Sequence, residues 1–374
     1  MESGIVGDGV PWNWLVAKRP RRKGIPDPSL LDDTVDWVAT IRAASGDFAV
    51  AALATLLEEA GLLGRAPTDV QRFLRYAVSQ NTEANRRIRE QCVEIGDALS
   101  RVGLHCVLLK GAAWLFEEGP ATQDRMLRDI DLLVPGPAYE AARTALLALN
   151  YEPSSTIMHE TGHVHEVPLE HPDRLVSVEL HVELTTRMRY LSADEVLAQA
   201  QPVAPGLTVP SPLHRVVHNV VHGQIINGDF VGGALSLRDS LDLGRLIRNI
   251  VRTTDWFDLA GEARQRGYFR PLSGALHKAA YVSGAVLPEP FRSDPGGRRH
   301  LRRCLLQRRW PTFDVGIRSL GLIYRATAWE RHAYALQLGG DRSLRAHFLV
   351  NRRRLQRIRA ALNRRLRSAS SSGV

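Results

Sequence analysis

The chain has 374 residues, of which 44% are hydrophobic and 24% charged, and its formal net charge is +9. That length allows about two or three domains, while no stretch approaches the ~20 consecutive apolar residues that would cross a membrane. Three widely spaced cysteines (Cys92, Cys106, Cys304) and a start (Met1-Glu2-Ser3-Gly4) without a basic segment and apolar run argue against a disulfide frame, a zinc knuckle or a secretion signal. A cytoplasmic protein with reduced thiols is the expectation.

Residues 1–28 carry Pro11, Pro20, Pro26, Pro28 and a basic cluster from Lys18 to Lys23, and read as a flexible basic lead-in. Residues 29–101 read as a helical N-terminal region. Leu53, Leu56, Leu57 and Ala60 recur at helical spacing, as do Val70, Phe73, Leu74 and Val78. Pro67-Thr68-Asp69 starts a helix that runs to Leu99, and Gly103 ends it.

Residues 102–209 change in texture and read as an α/β core. Leu104 to Leu109 is a buried strand, and Lys110-Gly111 leads into a helix over Ala112 to Glu118. Gly119 to Leu127 is a loop, and Arg128 to Val134 a second strand. Pro135-Gly136-Pro137 turns into a helix from Ala138 to Leu149. A strand follows near Tyr151. Two more, His163 to Leu169 and Leu175 to Leu184, flank the turn His171-Pro172-Asp173-Arg174.

Residues 210–287 are helical again, with helices over Leu213 to Gln224, Ala234 to Ile250, Trp256 to Gly267 and Pro271 to Val282. Pro288 to Gly297 is a break, and residues 288–374 form an arginine-rich helical region with a disordered Ser/Gly tail. The fold class is therefore α+β: a small mixed β-sheet core flanked by N- and C-terminal helical regions.

Asp129 and Asp131 stand two apart in the apolar run Ile130-Asp131-Leu132-Leu133-Val134. In a strand they share one face, roughly 7 Å apart. Two acids on the face of a core-like strand carry a desolvation and repulsion cost that a cation relieves. Mg²⁺ suits such oxygen ligands and keeps waters for a phosphate; Mn²⁺ is the alternative. Glu179, His181 and Glu183 alternate with Val178, Leu180 and Val182, so the three polar residues share a face. Glu179 would supply a third carboxylate for a two-metal clamp of the kind used in phosphoryl or nucleotidyl transfer. The bland reading of Glu179 and Glu183 is a solvated hairpin face. The strand–glycine–helix step at Lys110, Gly111 and Ala112 offers backbone N–H groups and an ammonium to an anion, or is a plain turn.

The order Leu109-Lys110-Gly111-Ala112, then Arg128-Asp129-Ile130-Asp131-Leu132-Leu133-Val134, then Val178-Glu179-Leu180-His181 resembles the nucleotidyltransferase superfamily of the DNA polymerase β type. It is most similar to the group of uncharacterised nucleotidyltransferases, some encoded beside peptide or polysaccharide biosynthesis genes. The resemblance covers about residues 70–250. It implies that Gly111 lies in the nucleotide-phosphate loop, that Asp129 and Asp131 are metal ligands, and that Glu179 is the third carboxylate. Where the superfamily often has Gly-Ser, this chain has Gly111-Ala112, and Glu179 replaces the commoner Asp. Arg125 and Arg128 precede the acid pair, and either guanidinium could reach a triphosphate; a structural ion pair is the other reading of Arg128. Asp124 reads as a loop carboxylate.

Other features carry less. His214, His218 and His222 fall four apart on one helix face and read as packing or capping residues. Arg238, Asp239 and Asp242 read as an exposed charged helix face; in the resembling group a helix of this kind packs over the nucleotide pocket, where Arg238 could contact phosphate or base. Arg352-Arg353-Arg354, Arg357, Arg359, Arg364, Arg365 and Arg367 surround Leu349, Leu355, Ile358, Leu362 and Leu366 as a basic amphipathic helix. It would be a solvated face, or would grip an anionic partner such as RNA, an acidic peptide or a membrane surface.

The expected function is Mg²⁺-dependent transfer of a nucleotidyl or phosphoryl group from ATP or another NTP to a hydroxyl or phosphate acceptor. That acceptor would be a small molecule, a peptide or RNA. Two alternatives stand beside it: a non-catalytic nucleotide-binding or regulatory module, and a toxin-like enzyme modifying tRNA.

Overall fold

The computed structural model describes residues 35–117, 119, 121–154, 167–184, 190–250, 253–310, 314 and 316. The basic lead-in, the segment from His163 to Glu166 and the arginine-rich helix beyond position 316 lie outside the described residues. Thirteen α-helices and a seven-stranded mixed sheet account for the described part.

Helices α1 (Trp37–Gly46) and α2 (Val50–Glu59) pack on the start of α3 (Thr68–Arg101) around Leu53, Leu57, Leu62 and Leu74. Helix α3 has 34 residues and is about 50 Å long at 1.5 Å per residue. It begins after Pro67 and ends at Val102-Gly103, where the sequence placed its limits. Its apolar stripe of Ile88, Cys92, Ile95 and Leu99 lies against one face of the sheet.

The chain then enters the sheet through β1 (Cys106–Leu108), the single turn α4 (Lys110–Ala113) and a 3₁₀ turn at Trp114–Phe116. The segment expected to be a loop contains a short helix, α5 (Ala121–Asp124). Two asparagines of α3 hold it. Asn81 Nδ2 donates to the Gln123 carbonyl at 2.6 Å, and Asn85 Nδ2 donates to the Thr122 and Arg125 carbonyls at 2.9 Å each. Strand β2 (Asp129–Leu133), helix α6 (Tyr139–Leu147), β3 (Glu152–Pro153), β4 (Leu169–Glu170) and β5 (Ser177–His181) follow in the predicted order.

After α7 (Ala193–Ala198) come two strands the sequence did not announce, β6 (Gln201–Ala204) and β7 (Leu207–Val209). Their turn is Pro205-Gly206, with Gly206 at φ +66°. The strand order is β3-β4-β5-β2-β1-β7-β6. Strands β2 and β5 are parallel, β1 is antiparallel to β2, and β7 is parallel to β1.

The other sheet face is covered by α8 (Pro212–Val220), α10 (Leu237–Asn249), α11 (Thr253–Arg266) and α12 (Phe269–Ser283), while α9 (Asp229–Gly232) and α13 (Pro295–Arg309) pack on α12. Val107, Leu109 and Leu133 of the sheet join Val216, Val220, Leu243, Leu246 and Leu276 in one core. Helix α8 runs into a π-helical turn, Val221–Ile226. Lys278 of α12, 2% exposed, fixes that turn: its Nζ donates to Gln224 Oε1 at 2.6 Å and to the Ala234 carbonyl at 2.9 Å.

Candidate active site on strands β2 and β5

Strand alternation builds the site. Ile130 and Leu132 of β2, with Val178 and Leu180 of β5, enter the core beneath α3. The period of two then places Asp129 and Asp131, with Glu179 and His181, on the opposite face, toward the C-terminal helices. The parallel register sets Asp131 beside Glu179.

One ligand atom from each of Asp131, Glu179 and His181 lies within 4.8 Å of the other two. His181 Nε2 is 2.9 Å from Asp131 Oδ1 and 3.7 Å from Glu179 Oε2. Lys110 Nζ donates to the same Asp131 oxygen at 2.7 Å. Lys110 also has φ +46°, a left-handed backbone that non-glycine residues seldom hold and that clusters at functional sites.

The charges are interdependent. Asp131 is 1% exposed, and burial alone would favour its neutral form. Lys110 and His181 overcome that and hold its carboxyl well below the usual range. Burial, then the charge of Asp131, push Asp129 and Glu179 the other way, above the ordinary carboxylate value. For Lys110, burial opposes the charged form, but Asp131, Asp129 and Glu179 together raise its pKa. Two carboxylates and an imidazole converging on one face, with Asp129 beside them on β2 but outside that group, are a donor set that a hard divalent cation such as Mg²⁺ or Mn²⁺ fits. Asp131, Glu179 and His181 are the residues that would hold it; of the three expected ligands Asp129 is not in the converging group, and His181 stands in it instead.

A cleft opens beside this cluster, with Lys110 in its wall. Helices α8 and α10 form the far side through Arg215, His218, His222, Arg238 and Asp242. The α10 charges do not form an exposed face: Asp242 is buried and Arg238 and Asp239 are half-buried, and an ion-pair network crosses from α10 to the segment before β2. Arg125 Nε bonds Asp242 Oδ2 at 2.9 Å, and Arg245 bridges Asp242 Oδ1 at 3.2 Å and Asp124 Oδ1 at 2.5 Å. Asp124 is thus a buried partner and not a solvated loop acid; burial, helped by the charge of Asp242, raises its pKa to about 6.

The remaining predicted residues are placed as follows. Gly111 and Ala112 are buried; a Cβ at Gly111 would meet Leu127 Cγ at 3.1 Å and Arg125 Nη2 at 3.5 Å. Arg128 is exposed, and its guanidinium lies 4.8 Å from the ring centre of Phe48, with that of Arg238 5.7 Å from the same ring. Glu183 lies past the end of β5, where its carboxylate bonds the backbone at Ala193, and so does not share the site with Glu179. His218, read as a packing residue, is buried and lines the cleft. The spacing Arg215, His218, Asn219, His222 was the available signal: steps of three, one and three put all four on one helical stripe.

No curated protein and no solved structure matches the chain at significance. A family model described as an uncharacterised nucleotidyltransferase matches residues 33–284. That match spans more than half of the chain and contains both acid-bearing strands and the cleft, and the protein belongs to this family of uncharacterised nucleotidyltransferases.

Proposed function

We propose that the protein transfers a nucleotidyl group from an NTP, with ATP the first choice, to a hydroxyl or phosphate acceptor. The observation that carries this reading is the convergence of Asp131, Glu179 and His181 within 4.8 Å, with Lys110 on Asp131, in a member of a nucleotidyltransferase family. A bound divalent cation would stabilise charge building on the phosphoryl oxygens. The chain's own residues do the rest. Asp129 and Asp131 orient the site. Glu179, whose carboxyl burial has made more basic, accepts the proton of the attacking hydroxyl. Lys110 neutralises charge on the departing phosphates. Rate enhancement comes from positioning and fixed charge more than from covalent chemistry.

The test uses the full chain with NTPs labelled at the α- or the γ-phosphate and cell extract as acceptor source. The α-label is expected on an acceptor, with release of pyrophosphate, and Asp131→Asn is expected to abolish it. Movement of the γ-label alone would replace the reading with phosphoryl transfer. No movement of either label, with the NTP bound, would favour a non-catalytic nucleotide-binding module.

A further inference from the structure

Helix α8 presents polar groups to the cleft that find no partner within the protein. Arg215 Nη2 and His218 Nε2 are buried without a hydrogen bond, on side chains 8% and 5% exposed. Asn219 Oδ1 is buried without one as well, and its Nδ2 makes only a 3.5 Å contact with the Asp239 carbonyl. All three residues line the same cleft. A buried polar atom left unpaired is destabilising, and three on adjacent turns of one stripe is a concentration that a ligand would relieve.

The chemistry of that ligand follows from the unused donors. The cleft wall holds the cations Lys110, Arg125, Arg215 and Arg238, each ion-paired to a carboxylate (Asp131, Asp242, Glu117 and Asp239), so what singles out α8 is its unused donors. Arg215 is held in place while one nitrogen stays idle: its Nη1 is ion-paired to Glu117, and its guanidinium lies 3.9 Å from the Trp114 ring centre. Burial lowers the pKa of Arg215 only to about 10, so it stays charged at neutral pH. Arg215 Nη2 is a donor, His218, which burial holds neutral, donates from Nε2 in the tautomer protonated there, and the Asn219 amide, whose orientation a ligand can choose, offers a third. Oxygens rich in lone pairs and carrying negative charge, as on a phosphate, match a guanidinium N–H beside further donors.

We propose that Arg215, His218 and Asn219 form an anion site on α8 that binds the phosphate oxygens of a polyphosphate or phosphate ester. It lies across the cleft from the carboxylate cluster and shares Lys110 with it. Taken with the transfer reading, on which only the ligand's role rests, the site would hold either the phosphates of the NTP beyond the reacting one or a phosphate group of the acceptor.

Calorimetric titration of the full chain with inorganic tripolyphosphate tests it. Wild type is expected to bind, and both Arg215→Met and His218→Leu to weaken binding on the order of tenfold or more. Glu117→Gln removes the competitor for Arg215 without removing Arg215, so it is expected to bind as tightly as wild type or tighter. That variant separates ligand binding from a merely structural role of the Arg215–Glu117 pair. Prior saturation with a non-hydrolysable NTP separates the two sources. Loss of tripolyphosphate binding assigns the site to the NTP's own phosphates; unchanged binding assigns it to a phosphorylated acceptor. Absence of binding by wild type, or equal binding by Arg215→Met and His218→Leu, overturns the proposal. Tripolyphosphate binding that persists in Asp131→Asn, beside a wild type that transfers no label, would leave the anion site standing and defeat only the transfer reading.

Discussion

Asp129 stands where function and stability pull apart. Burial and the charge of Asp131 both disfavour its ionised form, so the folded chain carries a repulsion that serves no structural end. Asp129→Asn removes that repulsion and keeps the shape. Its melting temperature is expected to equal or exceed that of wild type, while transfer falls by about a hundredfold or more. A melting temperature lower by more than about 5 °C would mark Asp129 as a structural residue instead. Asp242 is the opposite case. It holds the buried Arg125 at 2.9 Å, and Asp242→Asn leaves that guanidinium without its partner. Urea unfolding is expected to show a loss of about 3–5 kcal/mol, and a loss below about 1 kcal/mol would contradict the network. Asp124 adds a pH dependence. Its pKa rises from 3.8 to about 6 on folding, chiefly through burial, with Arg245 opposing. A group raised on folding contributes stability that is fully present below its unfolded pKa and lost as pH rises through its folded one. The stability of wild type relative to Asp124→Asn is therefore expected to increase, by about 2 kcal/mol, between about pH 7.5 and about pH 4.5. A difference that stays flat or reverses sign in urea titrations at the two pH values would exclude it.

Among the elements, contact between α3 and the β6–β7 hairpin shows how local conformation sets packing. A Cβ on Gly96 would lie 2.6 Å from the Pro205 carbonyl oxygen, and a Cβ on Gly206 would collide with the Gly96 carbonyl. Gly206 also has φ +66°. Gly206→Ala is expected to cost at least about 2 kcal/mol, from left-handed strain and the clash together, as measured by thermal unfolding; a cost under about 0.5 kcal/mol would mean that the hairpin can move off α3. The same elements show what the sequence displayed and what it hid. Helix α3 was legible because its apolar stripe is long and both ends carry local signals, Pro67-Thr68-Asp69 and Gly103. Strands β6 and β7 were hidden: they are four and three residues long, and Pro202 and Pro205 argue against a strand in isolation. Helix α5 is four residues held by Asn81 and Asn85 from more than 35 positions away, so nothing local announces it. The start of α10 came three residues later than its apolar pattern, at the Ser236 cap, whose hydroxyl accepts from the Asp239 amide.

At the scale of the whole molecule, the sheet and the C-terminal helices divide the site between them. The acid side was readable, because alternation along β2 and β5 fixes which residues share a face, and parallel pairing then brings Asp131 to Glu179. The cleft side was not. Arg215 and His218 line the cleft only because α8 and α10 pack over that face, and the paired charges of α10 look solvated until Arg125 is seen beneath them. If the acid cluster is a cation site on this scaffold, the ion and the NTP bind the folded chain and stabilise it by mass action. The most direct measurement is Mn²⁺ binding, followed by loss of the free-ion electron paramagnetic resonance signal, in wild type and Asp131→Asn with an NTP present. Wild type is expected to bind, and Asp131→Asn to bind on the order of tenfold more weakly or worse, with its fold intact by circular dichroism. Equal Mn²⁺ affinity in the two proteins would contradict the assignment of this cluster as the reaction centre.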